Sequence, residues 1–123
     1  RADDATVVLL GEFAGTRILL VSDLGLEGRR RLMASGEDLT ADILILAGSV
    51  SGEYYEADLL SAVDARLLIV QDNSFPVEER MTATDITRLR NYAEVVMPMS
   101  RCGSVCIRIK EGGWQIIQVP IVP

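Results

Sequence analysis

Histidine is absent from all 123 residues. That excludes a histidine-ligated zinc centre, and with it the Ser-His-Asp and Cys-His catalytic sets. Lysine occurs once, at Lys110, against eleven arginines, so positive patches are guanidinium patches suited to bidentate contacts. Basic side chains number 12 and acidic ones 18, for a formal net charge of -6. Strong free-standing nucleic-acid affinity is disfavoured, because it comes mainly from phosphate neutralisation. Aromatic residues make up 5%, too few for a base-stacking platform. The two cysteines, Cys102 and Cys106, make no disulfide framework. On a single strand they would stand roughly 13 Å apart, too far to bridge. As metal ligands they lack two further soft partners, so they read most simply as reduced packing residues. No apolar run approaches the roughly 18 residues of a membrane helix.

What is present is a globular composition, 49% hydrophobic and 24% charged. The length fits one domain, residues 1–123, able to bury roughly two-thirds of its unfolded surface without a metal or disulfide staple. The chain opens on Arg1, not methionine, and shows no secretory signal, which leads to the expectation of a piece of a longer protein.

Residues 6–13 and 16–22 are apolar and β-branched, and Ala14-Gly15 between them is a two-residue hairpin turn. A helix follows, with Asp23 as N-cap and Gly36 as its stop. Leu24, Leu32 and Met33 share its inner face and Arg29, Arg30 and Arg31 lie outward. The runs 42–47 and 66–70 have the continuous apolar character of strands covered on both faces. Further helices are expected over 53–63, with Tyr54, Leu59, Leu60 and Val63 inward, and over 79–92, with Ile86 and Leu89 inward and Arg88 and Arg90 exposed. Residues 94–99 form a third short strand, with Pro98 marking an edge or bulge. After a turn at residues 101–103, residues 105–109 and 114–119 pair about Gly112-Gly113 as a terminal hairpin. The order ββαβαβαβββ predicts an α/β fold, a mixed β-sheet with crossover helices.

Three phrases in this order carry a resemblance. Gly15-Thr16-Arg17-Ile18-Leu19-Leu20-Val21-Ser22-Asp23-Leu24 is followed by Leu39-Thr40-Ala41-Asp42-Ile43-Leu44, and then by the helix-strand-turn-strand run over 87–109. Together they resemble the C-terminal half of a metallo-β-lactamase-like domain, in the version found at the C-terminus of ComEC-type DNA-internalisation competence proteins. The resemblance spans roughly residues 6–118. It implies half of an αββα sandwich, a membrane-embedded bacterial parent and, in the complete family member, metal-dependent phosphodiester cleavage. The family's His-His-Gly-Ser positions are occupied here by Gly48, Ser49, Val50 and Ser51. Asn73 persists from the family's Gly-His-Pro loop without its histidine, and only Asp23 matches a metal-bridging aspartate. A lone carboxylate makes no tight transition-metal site, and without a metal no low-pKa water is available as nucleophile. The expectation is a metal-free, cofactor-free, non-catalytic member. The enzyme alternative needs a missing N-terminal half to supply nearly all the ligands, and a third reading is a purely structural assembly module.

The candidate residues each have a plainer role. Asp23 is a vestigial metal position or, more simply, a helix cap. Gly48, Ser49, Ser51, Asp72 and Asn73 lie on two loops that follow buried strands, where α/β sheets bind ligands. Yet they lack a phosphate-loop lysine and a GxGxxG pattern, so they mark a vestigial cleft or ordinary connections. Arg29, Arg30 and Arg31 are a candidate DNA-backbone contact, with Arg88, Arg90, Arg101 and Arg108 as companions, or a solvated helix face. Tyr54, Tyr55 and Trp114 stack bases or pack against the core. A half sandwich would bare one apolar sheet face, which soluble monomers avoid. Its cover is a second copy of the chain, the absent N-terminal half, or the chain's own further segments, and homodimerisation is the expectation.

Overall fold

A computed structural model describes residues 7–22, 25–47, 57–72 and 80–119. Two apolar runs open the fold as β1 (Val8–Phe13) and β2 (Thr16–Val21), paired antiparallel. Both turn residues between them have positive φ, 50° at Ala14 and 84° at Gly15. That is the backbone of the two-residue turn whose twist matches a hairpin. Three strands follow, each after a helix: α1 (Leu26–Ala34), β3 (Ile43–Ala47), α2 (Ala57–Val63), β4 (Leu67–Gln71), α3 (Ala83–Leu89) and β5 (Val95–Pro98). Strands β2 to β5 run parallel in sequence order, so the first sheet reads β1-β2-β3-β4-β5. The protein is an α/β fold with a mixed, mostly parallel sheet.

Successive crossovers that step the same way across the sheet put their helices on one face. The cores divide accordingly. Leu19, Val21, Leu44, Leu46, Leu68, Val70 and Val96 point to the helices, where Leu59, Leu60, Val63, Ile86 and Leu89 meet them, with Leu32 and Met33 at the margin. The alternate residues Ile43, Ile45, Leu67, Ile69 and Met97 point the other way. Strands β3 and β4 therefore read as unbroken apolar runs because each of their two faces has its own cover.

The second cover is the C-terminal segment. A one-turn helix α4 (Met99–Cys102) leads into β6 (Ser104–Lys110) and β7 (Gly113–Val119), a separate two-stranded sheet. The register pairs Ile107 with Ile116 and Ile109 with Trp114. Val105, Ile107, Trp114 and Ile116, with Met99 and Cys102, pack on the second core. A lone two-stranded hairpin is marginal in water, so this one depends on the sheet beneath it. Of the three covers the sequence left open, the chain's own further segments occupy the face over β3 to β5. The reason for expecting a copy of the chain there is thereby removed. Apolar surface remains on β1, an edge strand among the described residues, where Leu9 is 56% and Phe13 65% exposed.

Several boundaries differ from the sequence expectations. Helix α1 takes Gly25, not Asp23, as its N-cap, and Gly36 ends it with φ 78° as expected. Helix α3 begins at Ala83 because Thr82 and Asp85 form a reciprocal capping box, which pins the start four residues later than residue 79. The final turn is at Glu111-Gly112, with Gly113 already in β7. The expected turn at 101–103 is the end of α4. Asp23, Tyr54, Tyr55, the 48–52 loop and Asn73 lie outside the described residues. No helix among the described residues is long and apolar enough to cross a membrane.

Candidate functional site

Parallel strands β2 to β5 finish on one edge, at Val21, Ala47, Gln71 and Pro98. That C-terminal edge is where open α/β sheets bind ligands. Three described side chains there bear on function: Arg29 from α1, Asp72 just past β4 and Ser100 in α4.

Asp72 is 8% exposed. Its Oδ2 accepts from the Met81 amide at 2.8 Å and from the Ser100 hydroxyl at 2.5 Å. Its Oδ1 accepts from the Ser100 amide at 2.8 Å. A carboxylate offers about four acceptor positions, and these bonds use most of them. Asp72 thus fastens the end of β4 to the segment before α3 and to α4. It is a tie between elements, its carboxylate held by three donors. Nothing in the sequence around Ser100 signals this role, since the pair lies 28 residues apart.

The arginine run is split by the helix. Residues 29, 32 and 33 share one helical face, so the packing of Leu32 and Met33 on the core carries Arg29 inward. Arg29 is 7% exposed, and its Nε and Nη1 are buried with no hydrogen-bond partner. This corrects the expectation that all three arginines lie outward. Arg30 and Arg31 are exposed, and Arg31 pairs with Glu27 one turn back at 3.5 Å. Their companions are dispersed. Arg90 caps α3, Arg88 is half-buried with a partner, Arg101 is in α4, and Arg108 is on the outer face of the hairpin. The described arginines do not gather into one stripe. Trp114 is half-buried against the second core and is no stacking platform.

The cysteines are both free, Cys106 exposed and Cys102 half-buried. Burial pushes the Cys102 thiol above its ordinary value, and the nearby Asp72 carboxylate pushes it further against the opposing pull of Arg101. Among the described residues no group of three or more His, Cys, Asp or Glu side chains could hold a metal ion.

At the opposite edge the sequence concealed a different tie. Arg17 donates from Nε to the Thr40 carbonyl at 2.7 Å and from Nη2 to the Asp38 carbonyl at 3.0 Å. Its own amide donates to Asp42 Oδ2 at 2.8 Å. The Thr40 hydroxyl and amide both donate to Asp38 Oδ1, at 2.7 and 3.0 Å. Those bonds, the hydroxyl first, hold the Asp38 carboxyl below its ordinary value, with a smaller contribution from Arg17. The cluster docks the α1–β3 connection on the first hairpin and has the character of structural fastening.

No family model matches the chain, and neither curated proteins nor solved structures yield a match.

Proposed function

We propose that this chain is a non-catalytic, metallo-β-lactamase-like accessory domain, related to the C-terminal module of ComEC-type competence proteins and associated with DNA uptake. Its role is to assemble with or position a partner, with at most weak contact to DNA. The observation that supports this most is the layering. Helices cover one face of the parallel sheet and the chain's own two-stranded sheet packs on the other, the helix-sheet-sheet order of layers found within an αββα sandwich. The edge where a family metal site would stand has Asp72 consumed by backbone ties, in a chain without histidine.

Contact with DNA is limited on this reading by the inward turn of Arg29 and the pairing of Arg31 with Glu27. The surface for a partner is the edge of β1, and a second copy of the chain pairing strand to strand is its simplest occupant. A single monomeric mass across a wide concentration range would remove that occupant.

The deciding experiment is binding of a labelled single-stranded oligonucleotide at low and at physiological salt, with and without manganese. The expected result is weak binding that is lost at physiological salt and is indifferent to manganese. Binding or cleavage that requires manganese would overturn the proposal and return Asp23 to the role of ligand.

A further inference from the structure

Edge strands are normally guarded against pairing with another chain by lysine, proline, a bulge or brevity. Strand β1 has none of these. It runs six residues without lysine or proline, and its pairing with β2 is unbroken from Val8 to Phe13. Its one charge, Glu12, is already bonded to Arg17 at 3.4 Å. The exposed large hydrophobics among the described residues are Val7, Leu9, Leu10 and Phe13 on this edge, each 46% or more exposed, and Val95 on β5.

The main chain of this edge is equally available. The two-residue turn at Ala14-Gly15 makes Phe13 and Thr16 a hydrogen-bonded pair. Bonding alternates along an antiparallel ladder. Leu9 and Gly11 therefore also bond β2, while the amides and carbonyls of Val8, Leu10 and Glu12 face away from it. Among the described residues these outward groups make no other hydrogen bond.

A second copy fits the edge because the strand is complementary to itself about Leu10. A two-fold axis there sets Leu10 opposite Leu10, Val8 opposite Glu12, Leu9 opposite Gly11 and Val7 opposite Phe13. The outward groups then meet in an antiparallel ladder of about six hydrogen bonds. Each exposed apolar side chain of β1 gains an apolar or glycine neighbour. A Cβ at Gly11 would meet nothing within 4 Å, which leaves room for the second copy's Leu9. The two Glu12 carboxylates stand about 14 Å apart along the ladder, beyond the roughly 8 Å over which salt leaves such charges unscreened. An axis at Leu9 would leave Phe13 past the paired residues. An axis at Gly11 would set Leu10 against Glu12 and Val7 against the turn. The opposite edge of the sheet, β5, is four residues long and ends on Pro98, which has no N–H. A β1-to-β5 contact, the kind that propagates into a fibre, is therefore disfavoured.

We infer that two copies of the chain pair β1 to β1, antiparallel and centred on Leu10, into one continuous sheet and a closed dimer. This dimer rests on the reading above that gives the β1 edge to a partner, and it fixes the register, the symmetry and the limit of two. A six-residue edge is smaller than the roughly 800 Å² per partner of a standard interface, so its dissociation constant is micromolar.

The test is sedimentation of the intact chain from micromolar to millimolar concentration, joined to cysteine cross-linking under mild oxidation in a Cys106→Ser background. The mass is expected to rise from one copy to two and to stop there. Opposed, hydrogen-bonded residues have Cα atoms about 5.5 Å apart, within disulfide reach, so Leu10→Cys links to its own copy. Glu12→Cys, about 14 Å from its counterpart, does not. Leu10→Lys, shown to be folded by circular dichroism, stays monomeric, and Val95→Lys on the other edge still dimerises. A single monomeric mass at every concentration, growth beyond two copies, or cross-linking of Glu12→Cys ahead of Leu10→Cys would each overturn the inference. So would dimerisation of Leu10→Lys or its loss in Val95→Lys. A monomer leaves the accessory role to the oligonucleotide experiment, and manganese-dependent cleavage would overturn that role without touching the dimer.

Discussion

Replacing Asp72 by alanine removes an acceptor from two backbone amides and one hydroxyl at once. Met81 is 1% exposed, so its amide cannot turn to water, whereas Ser100 is only partly buried. An orphaned buried donor costs about 1–3 kcal/mol. Taking Met81 near the upper end and Ser100 near the lower gives a loss of about 4 kcal/mol for Asp72→Ala. Asp72→Asn is milder. One amide keeps an oxygen and the other faces an NH2, so one donor is orphaned, at about 1–3 kcal/mol. Ser100→Ala removes only the hydroxyl and costs about 1 kcal/mol or slightly more, because the acceptor is charged. Urea unfolding followed by circular dichroism measures this directly. With a slope of about 2 kcal/mol/M, Asp72→Ala lowers the midpoint by about 2 M at unchanged slope. The order of loss is Asp72→Ala, then Asp72→Asn, then Ser100→Ala. An Asp72→Ala midpoint within 0.3 M of wild type, by the same slope, would refute the assignment of Asp72 as a tie and reopen it as a site residue.

Thr82→Ala breaks the reciprocal box with Asp85 and is expected to cost about 1 kcal/mol, read as a midpoint shift in the same unfolding assay. Ala14→Asn, at a turn position with φ 50°, should stabilise the first hairpin by a few tenths of a kcal/mol, since asparagine tolerates the left-handed region better. Because the Asp38 carboxyl is held low by Thr40, its contribution to stability is present above the ordinary carboxylate range and is lost as the pH falls through the folded value. Thr40→Ala is expected to move the Asp38 titration upward, as seen by carboxyl NMR, and an unmoved titration would contradict the hydrogen-bond cause. Iodoacetamide near neutral pH is expected to alkylate exposed Cys106 before Cys102, whose thiolate is disfavoured by burial and by Asp72. Equal rates by mass spectrometry would count against that environment.

Much of the chain's local structure was legible without coordinates. The runs ILILA and LLIV are covered on both faces, and only a strand between two layers needs that pattern. Ala14-Gly15 marked the first turn and Gly36 the end of α1, because each requires positive φ. The TATD start of α3 was also written in the residues, as a Thr-x-x-Asp box, and it outweighed the broader helical periodicity before it.

What local pattern cannot carry is which surface meets which. Periodicity grouped Leu24, Leu32 and Met33 on the inner face and set Arg29 outward, and only the packed sheet decided that the Arg29 guanidinium turns inward beside Leu32 and Met33. Composition left three candidates for the cover over β3 to β5, and tertiary packing of β6 and β7 selected one. Asp72 and Ser100 are joined across 28 residues, a distance over which no sequence spacing constrains a hydrogen bond. Sequence alone determines elements and their amphipathic faces because those follow from backbone sterics and the alternation of side chains. The site's chemistry was left to tertiary structure, because burial and hydrogen-bond partners decide whether a charged group is a tie or a surface charge.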